Sequence, residues 1–472
     1  MDNTETLARL DRAVAASWRG ETLEALKRFI RLESKSPAFD AAWEERGLLL
    51  KAVEEAAAHG RRLFPQGAFE VLSAPGRTPC LFFDVPAAPG SRGAAVMFYG
   101  HLDKQPEASG WSEGKGPFAP VVEDGRLYGR GAVDDGYSFY LAMAALSGLD
   151  AAGLPRPRAL GLIETCEESG SLDLAFWLER LRGRLAGVGL MAVLDAGAED
   201  YGRMWLTPRF RGIVAADLRA STVTAAVHSG IASGAVPSSF GVIRVLLDRI
   251  DDAASGRVRD PAFHCAMPEA RRAQLERVAA VLGGGFADGY PWQPGARPLH
   301  GDALSNLIGQ TWMPQLSVTG AEGLPPLEAA GNVIRPETAL RLSLRIPPCV
   351  DAGAALARLE ELLLADPPHG ARVTVGGQLA SAGWNAPQEA AWFAEAVDAA
   401  SREVFGQPAG WNCSGGTISI MGLLQQALPG AQFCVTGAAG PRTNSHGPDE
   451  MLPLAYAEGL TRALARIIAR IP

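Results

Sequence analysis

The sequence predicts an α/β fold in two parts: a discontinuous α/β domain interrupted by a smaller α+β domain. Three observations carry this. Up to about residue 208, short apolar runs rich in β-formers alternate with helical stretches, the pattern of a sheet with covered faces. Beyond that point the strands alternate apolar with polar residues, so one face is wet. After about residue 380 the helix–strand alternation returns. The expected segments are 1–208, 209–380 and 381–472, the first and last forming one domain.

Taken in order, ETLARLDRAVAASW, ETLEALKRFIRL and AAWEERGLLLKAVEEAAA repeat apolar residues at helical spacing. FEVLSA, CLFFDVP, AAVMFYG, ALGLIET and LMAVLDA read as strands, with helices at 137–149 and 171–184 between them. RGIVAADLRAST, PQLSVTG, ALRLSLRIP and ARVTVGG read as the half-exposed strands of the interrupting domain. Residues 240–282 carry a helical pattern, and 283–313 are Gly/Pro-rich and irregular. Helices near 387–405 and 452–470 flank the strand AQFCVTG.

Composition excludes several classes. Lys+Arg 44 against Asp+Glu 52 gives a net charge of −8 with no basic cluster, which argues against a nucleic-acid partner. No run of eighteen apolar residues offers a membrane span, and the first residues lack the basic-then-apolar pattern of an export signal. Six scattered cysteines without a C-x-x-C argue against a disulfide framework and a thiolate zinc site. A cytoplasmic protein is the expectation.

H-E-x-x-H and phosphate-loop signatures are absent. Five acidic or histidine-bearing segments remain. In YGHLDKQP (99–106), His101 and Asp103 lie two apart and point the same way in extended chain. They could approach one cation, or Asp103 could orient a metal-bound His101; alone, they also read as a strand-end histidine and a solvated aspartate. LYGRGAVDDG (127–136) pairs Asp134 with Asp135, either as helix caps or as a cation bridge. ETCEESGS (164–171) crowds Glu164, Glu167 and Glu168, which repel unless cations or protons compensate. VLDAG supplies Asp195, and TNSHGPDE places His446 in a loop. Each has a bland alternative, but most fall at the carboxyl ends of strands, where ligands collect in α/β sheets. Histidines and carboxylates without thiolates suit a pair of Zn²⁺ or Mn²⁺ ions. Asp134, Glu168 and Asp195 with a bridging hydroxide balance two divalent charges.

In family order, GHLDKQP, YGRGAVDDG, EESGS, LDAG and SHGPDE resemble the co-catalytic dizinc metallopeptidases that include carnosinase-type dipeptidases, acetylornithine deacetylase and succinyl-diaminopimelate desuccinylase. The resemblance covers nearly the whole chain. It implies a catalytic domain interrupted by a ferredoxin-like lid and dimerisation domain, and two divalent ions, Zn²⁺ with Mn²⁺ or Co²⁺ as alternatives. One ion would be held by His101, Asp134 and Asp195, the other by Asp134, Glu168 and His446. Glu167 would be the general base and Asp103 the orienting carboxylate. HSGIASGAVP resembles the lid segment whose histidine, here His228, reaches the neighbouring subunit's site and stabilises an oxyanion. Asn332 and Arg345 in GNVIRPETALRLSLRIPP, with Gly416 and Thr417 in SGGTIS, would hold the substrate carboxylate. Two departures stand out: Gly136 where the family often has lysine, and Arg335 before Pro336, either an inserted residue or a shifted turn. The implied activity is hydrolysis of short peptides by a homodimer. An N-acyl-amino-acid deacylase and a non-catalytic binding protein are the alternatives.

Overall fold

The computed structural model describes residues 3–91, 93–290, 292–416 and 420–472. The chain divides into two compact units. The first comprises Met1–Pro208, Ala386–Asn412 and Leu423–Pro472; the second comprises Arg209–Asn385 and Cys413–Gly422.

A six-stranded mixed sheet forms the centre of the first unit. Its order is Ala68–Ala74, Arg77–Val85, Ala159–Glu164, Ala95–His101, Val188–Val193 and Gln432–Val435. The strand Ala95–His101 lies between two parallel partners and is buried at every position, which is why AAVMFYG reads as a continuous apolar run. Only the first three strands in the spatial order pair antiparallel. The helix Tyr137–Ala152 packs on Ala95–His101 and is itself covered by the helices Asn3–Arg19 and Leu454–Ile468. It is buried almost all round, as its apolar composition requires.

Because the strands ending at His101, Glu164, Val193 and Val435 run parallel, their carboxyl ends fall along one edge of the sheet. The segments carrying His101, Glu167 and Asp195 leave directly from that edge, and the contacts of Asp134 and His446 bring the other two motifs to it.

A four-stranded antiparallel sheet, in the order Gln315–Glu322, Glu337–Ile346, Gly212–Ser221 and Arg372–Ser381, anchors the second unit. Residues 212–221 alternate strictly between buried and half-buried, matching the period of the sequence. Val214, Leu218, Leu342 and Leu344 from the covered face form one core with Ile243, Leu246, Leu359 and Leu363 from the helices Ser239–Asp248 and Ala352–Leu364.

One expectation is corrected here, and one feature is added. Residues 240–282 are not one helical stretch: after Ser239–Asp248 the chain forms a hairpin, Asp251–Asp252 with Arg257–Val258, and resumes as helix at Glu269–Leu282. Asp252 accepts a hydrogen bond from the Ala254 amide at 2.9 Å, and Gly256 takes φ 70°, so the turn chemistry of DDAASGR overrides the apolar spacing. The cysteines are not all single: Cys265 and Cys349, 84 residues apart with Cα atoms 6.3 Å from each other, form a disulfide. Loops that meet in space leave no trace in cysteine spacing. Cys80, Cys166, Cys413 and Cys434 are buried free thiols. Among the described residues no helix is long and apolar enough to cross a membrane.

Candidate metal centre

The strand Ala95–His101 delivers a fully buried His101 to the sheet edge. Gly100 makes this approach possible, since a Cβ there would lie 2.3 Å from Ser138 Oγ and 2.9 Å from Asp135 Oδ2. Asp135 in turn accepts a hydrogen bond from the His101 amide at 3.3 Å. The neighbouring Asp134 faces the other way, into the site, and the Asp134–Asp135 peptide is cis. Gly136 has no room for the lysine of the family pattern: a Cβ would lie 2.1 Å from the Phe29 ring and 2.7 Å from the Gly131 carbonyl.

Asp134 stands between the two imidazoles. Its Oδ1 lies 3.3 Å from His101 Nε2 and its Oδ2 lies 2.8 Å from His446 Nε2. Asp195 Oδ2 is 4.0 Å from His101 Nε2, and Glu168 Oε2 is 3.4 Å from His446 Nε2. Asp103 is buried behind them, with Oδ1 3.4 Å from His101 Nδ1. Its two oxygens also accept the amides of Glu167 and Glu168, at 3.2 and 3.0 Å. Asp103 thus orients the histidine through its backbone carbonyl, 3.1 Å from Nδ1, with the carboxylate beside it, and the carboxylate fixes the turn that carries both glutamates.

The electrostatics show how crowded the site is. Burial pushes the Glu168 carboxyl up to about 8 and that of Asp195 up to about 6, with the Asp134 charge adding to both. Glu167 is raised well above the carboxylate range by burial, helped by Asp195, Glu168 and Asp103 against the pull of His101. For Asp134, burial acts in the same sense, but the two imidazoles outweigh it and hold the carboxyl well below its usual value. His446 is raised to about 9 by its bond to Asp134, against the effect of burial.

Residues beyond the sequence-derived set complete the surroundings. Gln105 Nε2 donates to Glu168 Oε2 at 2.6 Å. Arg130 and Glu450, buried together, bind the backbone on either side of Asp134 and His446. Both lie inside motifs read above, but a single sequence gives no sign that they pair. Glu164, in register with His101 on the neighbouring strand, accepts a hydrogen bond from Tyr99 Oη at 2.5 Å.

The remaining sequence-derived residues belong to the second unit. His228 caps a short helix, its Nδ1 accepting the Gly230 amide at 3.1 Å, and pairs in register with Val333. The Asn332 carbonyl accepts the Ser229 amide at 2.9 Å, so His228 and Asn332 share one small ladder. Arg345 lies on the central strand Glu337–Ile346, opposite Ile213. The Gly416 amide donates to Ser414 Oγ at 3.0 Å, whereas Thr417 lies outside the described residues.

Two histidines and several carboxylates gathered at the carboxyl edge of a mixed α/β sheet, with no thiolate among them, define a metallohydrolase. The chain belongs to peptidase family M20/M25/M40, which it matches over residues 97–470. It is 26% identical over 388 residues to the cysteinylglycine-S-conjugate dipeptidase of Corynebacterium striatum, covering 79% of this chain and 80% of that protein. Its fold is that of human carnosine dipeptidase 1, with TM-score 0.76, 21% identity and 98% of each chain covered. A shorter match, 37% identical over 81 residues, is to the succinyl-diaminopimelate desuccinylase of Methylobacillus flagellatus and covers 17% of this chain and 22% of that protein.

The residues present fit divalent ions. His101 Nε2 and Glu168 Oε1 are buried without a hydrogen-bond partner among the described residues. Ligand atoms of His101, Glu167 and Asp195, and likewise of His101, Asp134 and Glu168, lie within 4.8 Å of one another. Cations would satisfy the orphaned atoms and relieve the carboxylate repulsion together.

Proposed function

We propose that the chain is a two-metal dipeptidase that hydrolyses short peptides bearing a free carboxylate. The observation that carries the reading is the division of the Asp134 carboxylate between His101 and His446, which suits a bridge between two ions. Zn²⁺ is the proposed metal, with Mn²⁺ or Co²⁺ as alternatives. His101, Asp134 and Asp195 would hold one ion, and Asp134, Glu168 and His446 the other. When bound, the pair supplies Lewis acidity and lowers the pKa of a shared water.

The chain's own residues supply the rest. Glu167 is fixed at its amide by Asp103 beside the His101 and Asp195 ligand atoms, so it suits taking a proton from water and passing it to the departing amine. Asp103 holds His101 in one orientation throughout. In the second unit, proposed as a ferredoxin-like lid and dimerisation domain, His228 would steady the oxyanion. Arg345, Asn332, Gly416 and Thr417 would bind the substrate carboxylate. Dipeptidase is favoured over deacylase because the cysteinylglycine-S-conjugate dipeptidase match extends over 79% of the chain and the matches to desuccinylases over 17 to 32%. A panel of dipeptides and N-acetyl amino acids, assayed with and without chelator alongside metal analysis, tests the reading. Chelator-sensitive cleavage of dipeptides is the expected result, and chelator-insensitive protein without bound metal would overturn it.

A further inference from the structure

Arg130 and Glu450 form an ion pair inside the first unit, with side chains 1% and 0% exposed and Nη1 2.6 Å from Oε2. Both direct their remaining bonds to the backbone of loops that carry the site. Arg130 Nη2 donates to the carbonyls of His446 and Gly447, at 3.1 and 3.0 Å, and Nε donates to the Pro106 carbonyl at 3.0 Å. Glu450 Oε1 accepts the amides of Val133 and Asp134, at 3.1 and 3.3 Å. One ion pair therefore grips the chain at His446 and at Asp134, whose side chains meet at 2.8 Å.

The grip bears on His446 far more than on His101. His101 completes a fully buried strand, so its ring is held by packing. The His446 side chain is 55% exposed. Its loop also carries Arg442, Asn444, His446 and Asp449 at φ 66°, 52°, 67° and 56°. Left-handed backbone at non-glycine residues persists only where the surroundings hold it. Packing does little for an exposed ring, so the hydrogen bonds that place its backbone, with Asp134 and Glu168 at 2.8 and 3.4 Å, set where Nε2 points.

We propose that the Arg130–Glu450 pair is a positioning device for the ion held by Asp134, Glu168 and His446, and not for the affinity of the ion held on the His101 and Asp195 side. The inference rests on the two-ion reading above. Partners that orient a metal ligand typically change metal affinity by about 10–100-fold. Here the partner acts through the ligand's main chain.

The test uses the full chain as Arg130→Met and as the double variant Arg130→Met/Glu450→Gln, which leaves no unpaired buried charge. Metal-free protein is titrated with Co²⁺ and with Zn²⁺, bound metal is counted after dialysis at fixed free ion, and folding is followed by circular dichroism and thermal melting. Wild type should bind two ions. A folded variant should keep one at wild-type affinity and bind the second about 10–100-fold more weakly. If Arg130→Met alone does not fold, the double variant decides. Wild-type affinities at both positions, equal weakening at both, or collapse of both variants would overturn the proposal and leave the two-ion reading intact. A wild-type protein that binds no ion would overturn that reading, and the proposal with it.

Discussion

Asp134 offers one oxygen to each of two imidazoles, Oδ1 to His101 and Oδ2 to His446, at 3.3 and 2.8 Å. No other carboxylate in the site has that double relationship in the ion pairs recorded among the described residues. Asp134→Ala should lower bound metal from two ions per chain to at most one. It should also reduce dipeptide turnover by roughly a thousandfold or more, as loss of a shared ligand removes several kcal/mol of transition-state stabilisation. Metal counting and steady-state kinetics on one preparation check both.

Glu167→Gln should separate chemistry from metal binding. The amide keeps the shape of the side chain but cannot take a proton, so kcat should fall by about 10²–10⁴-fold. Metal content and thermal midpoint should stay near wild type. Equal kcat in the two proteins would remove Glu167 from the role of base.

Asp103→Asn tests the buried carboxylate that serves three groups. Its two oxygens accept the amides of Glu167 and Glu168 while Oδ1 faces His101 Nδ1. Asparagine offers one acceptor where two amides need one each, so a buried N–H loses its partner at a cost of about 1–3 kcal/mol. Metal affinity should fall by about 10–100-fold, read from dialysis at fixed free Zn²⁺.

His59 gives the fold a pH dependence that does not involve the metal centre. It is buried against Phe139 and Tyr140, and burial, with the charges of Arg62 and Arg28, lowers it to about 4. Its ordinary value is about 6.5. Above that pH it is neutral in both states and contributes no pH dependence. Between about 6.5 and 4 the unfolded chain binds a proton that the folded chain refuses, so stability falls as pH falls. The loss is at most about 1.4 kcal/mol per unit and about 3 kcal/mol in all. His59→Gln should flatten that part of the curve in urea unfolding series between pH 7 and 4. An unchanged slope would exclude His59 as its source.

The parts legible in the sequence were those governed by local period or by short motifs. Residues 95–101 read as a strand because every position is buried between parallel partners, and 212–221 because burial alternates along them. The hairpin between Asp251 and Val258 was hidden because apolar residues on either side keep helical spacing across a turn. Cys265 and Cys349 were hidden for a different reason, since their pairing is a property of two loops brought together by the fold. The cluster of His101, Asp134, Glu168, Asp195 and His446 was readable as a candidate site because its residues fall in five short segments. The Arg130–Glu450 pair was not, although both residues sit inside those segments, because 320 positions separate partners that only the folded chain unites.

His101 is sealed from solvent while His446 stands more than half open to it. On the proposed two-ion reading, the ligand at one seat is walled by protein and the ligand at the other is reached by solvent. Stripping and refilling should then proceed in order, with the His446 seat exchanging quickly and the His101 seat slowly, so that preparations would differ in their metal complement according to how long they had been washed.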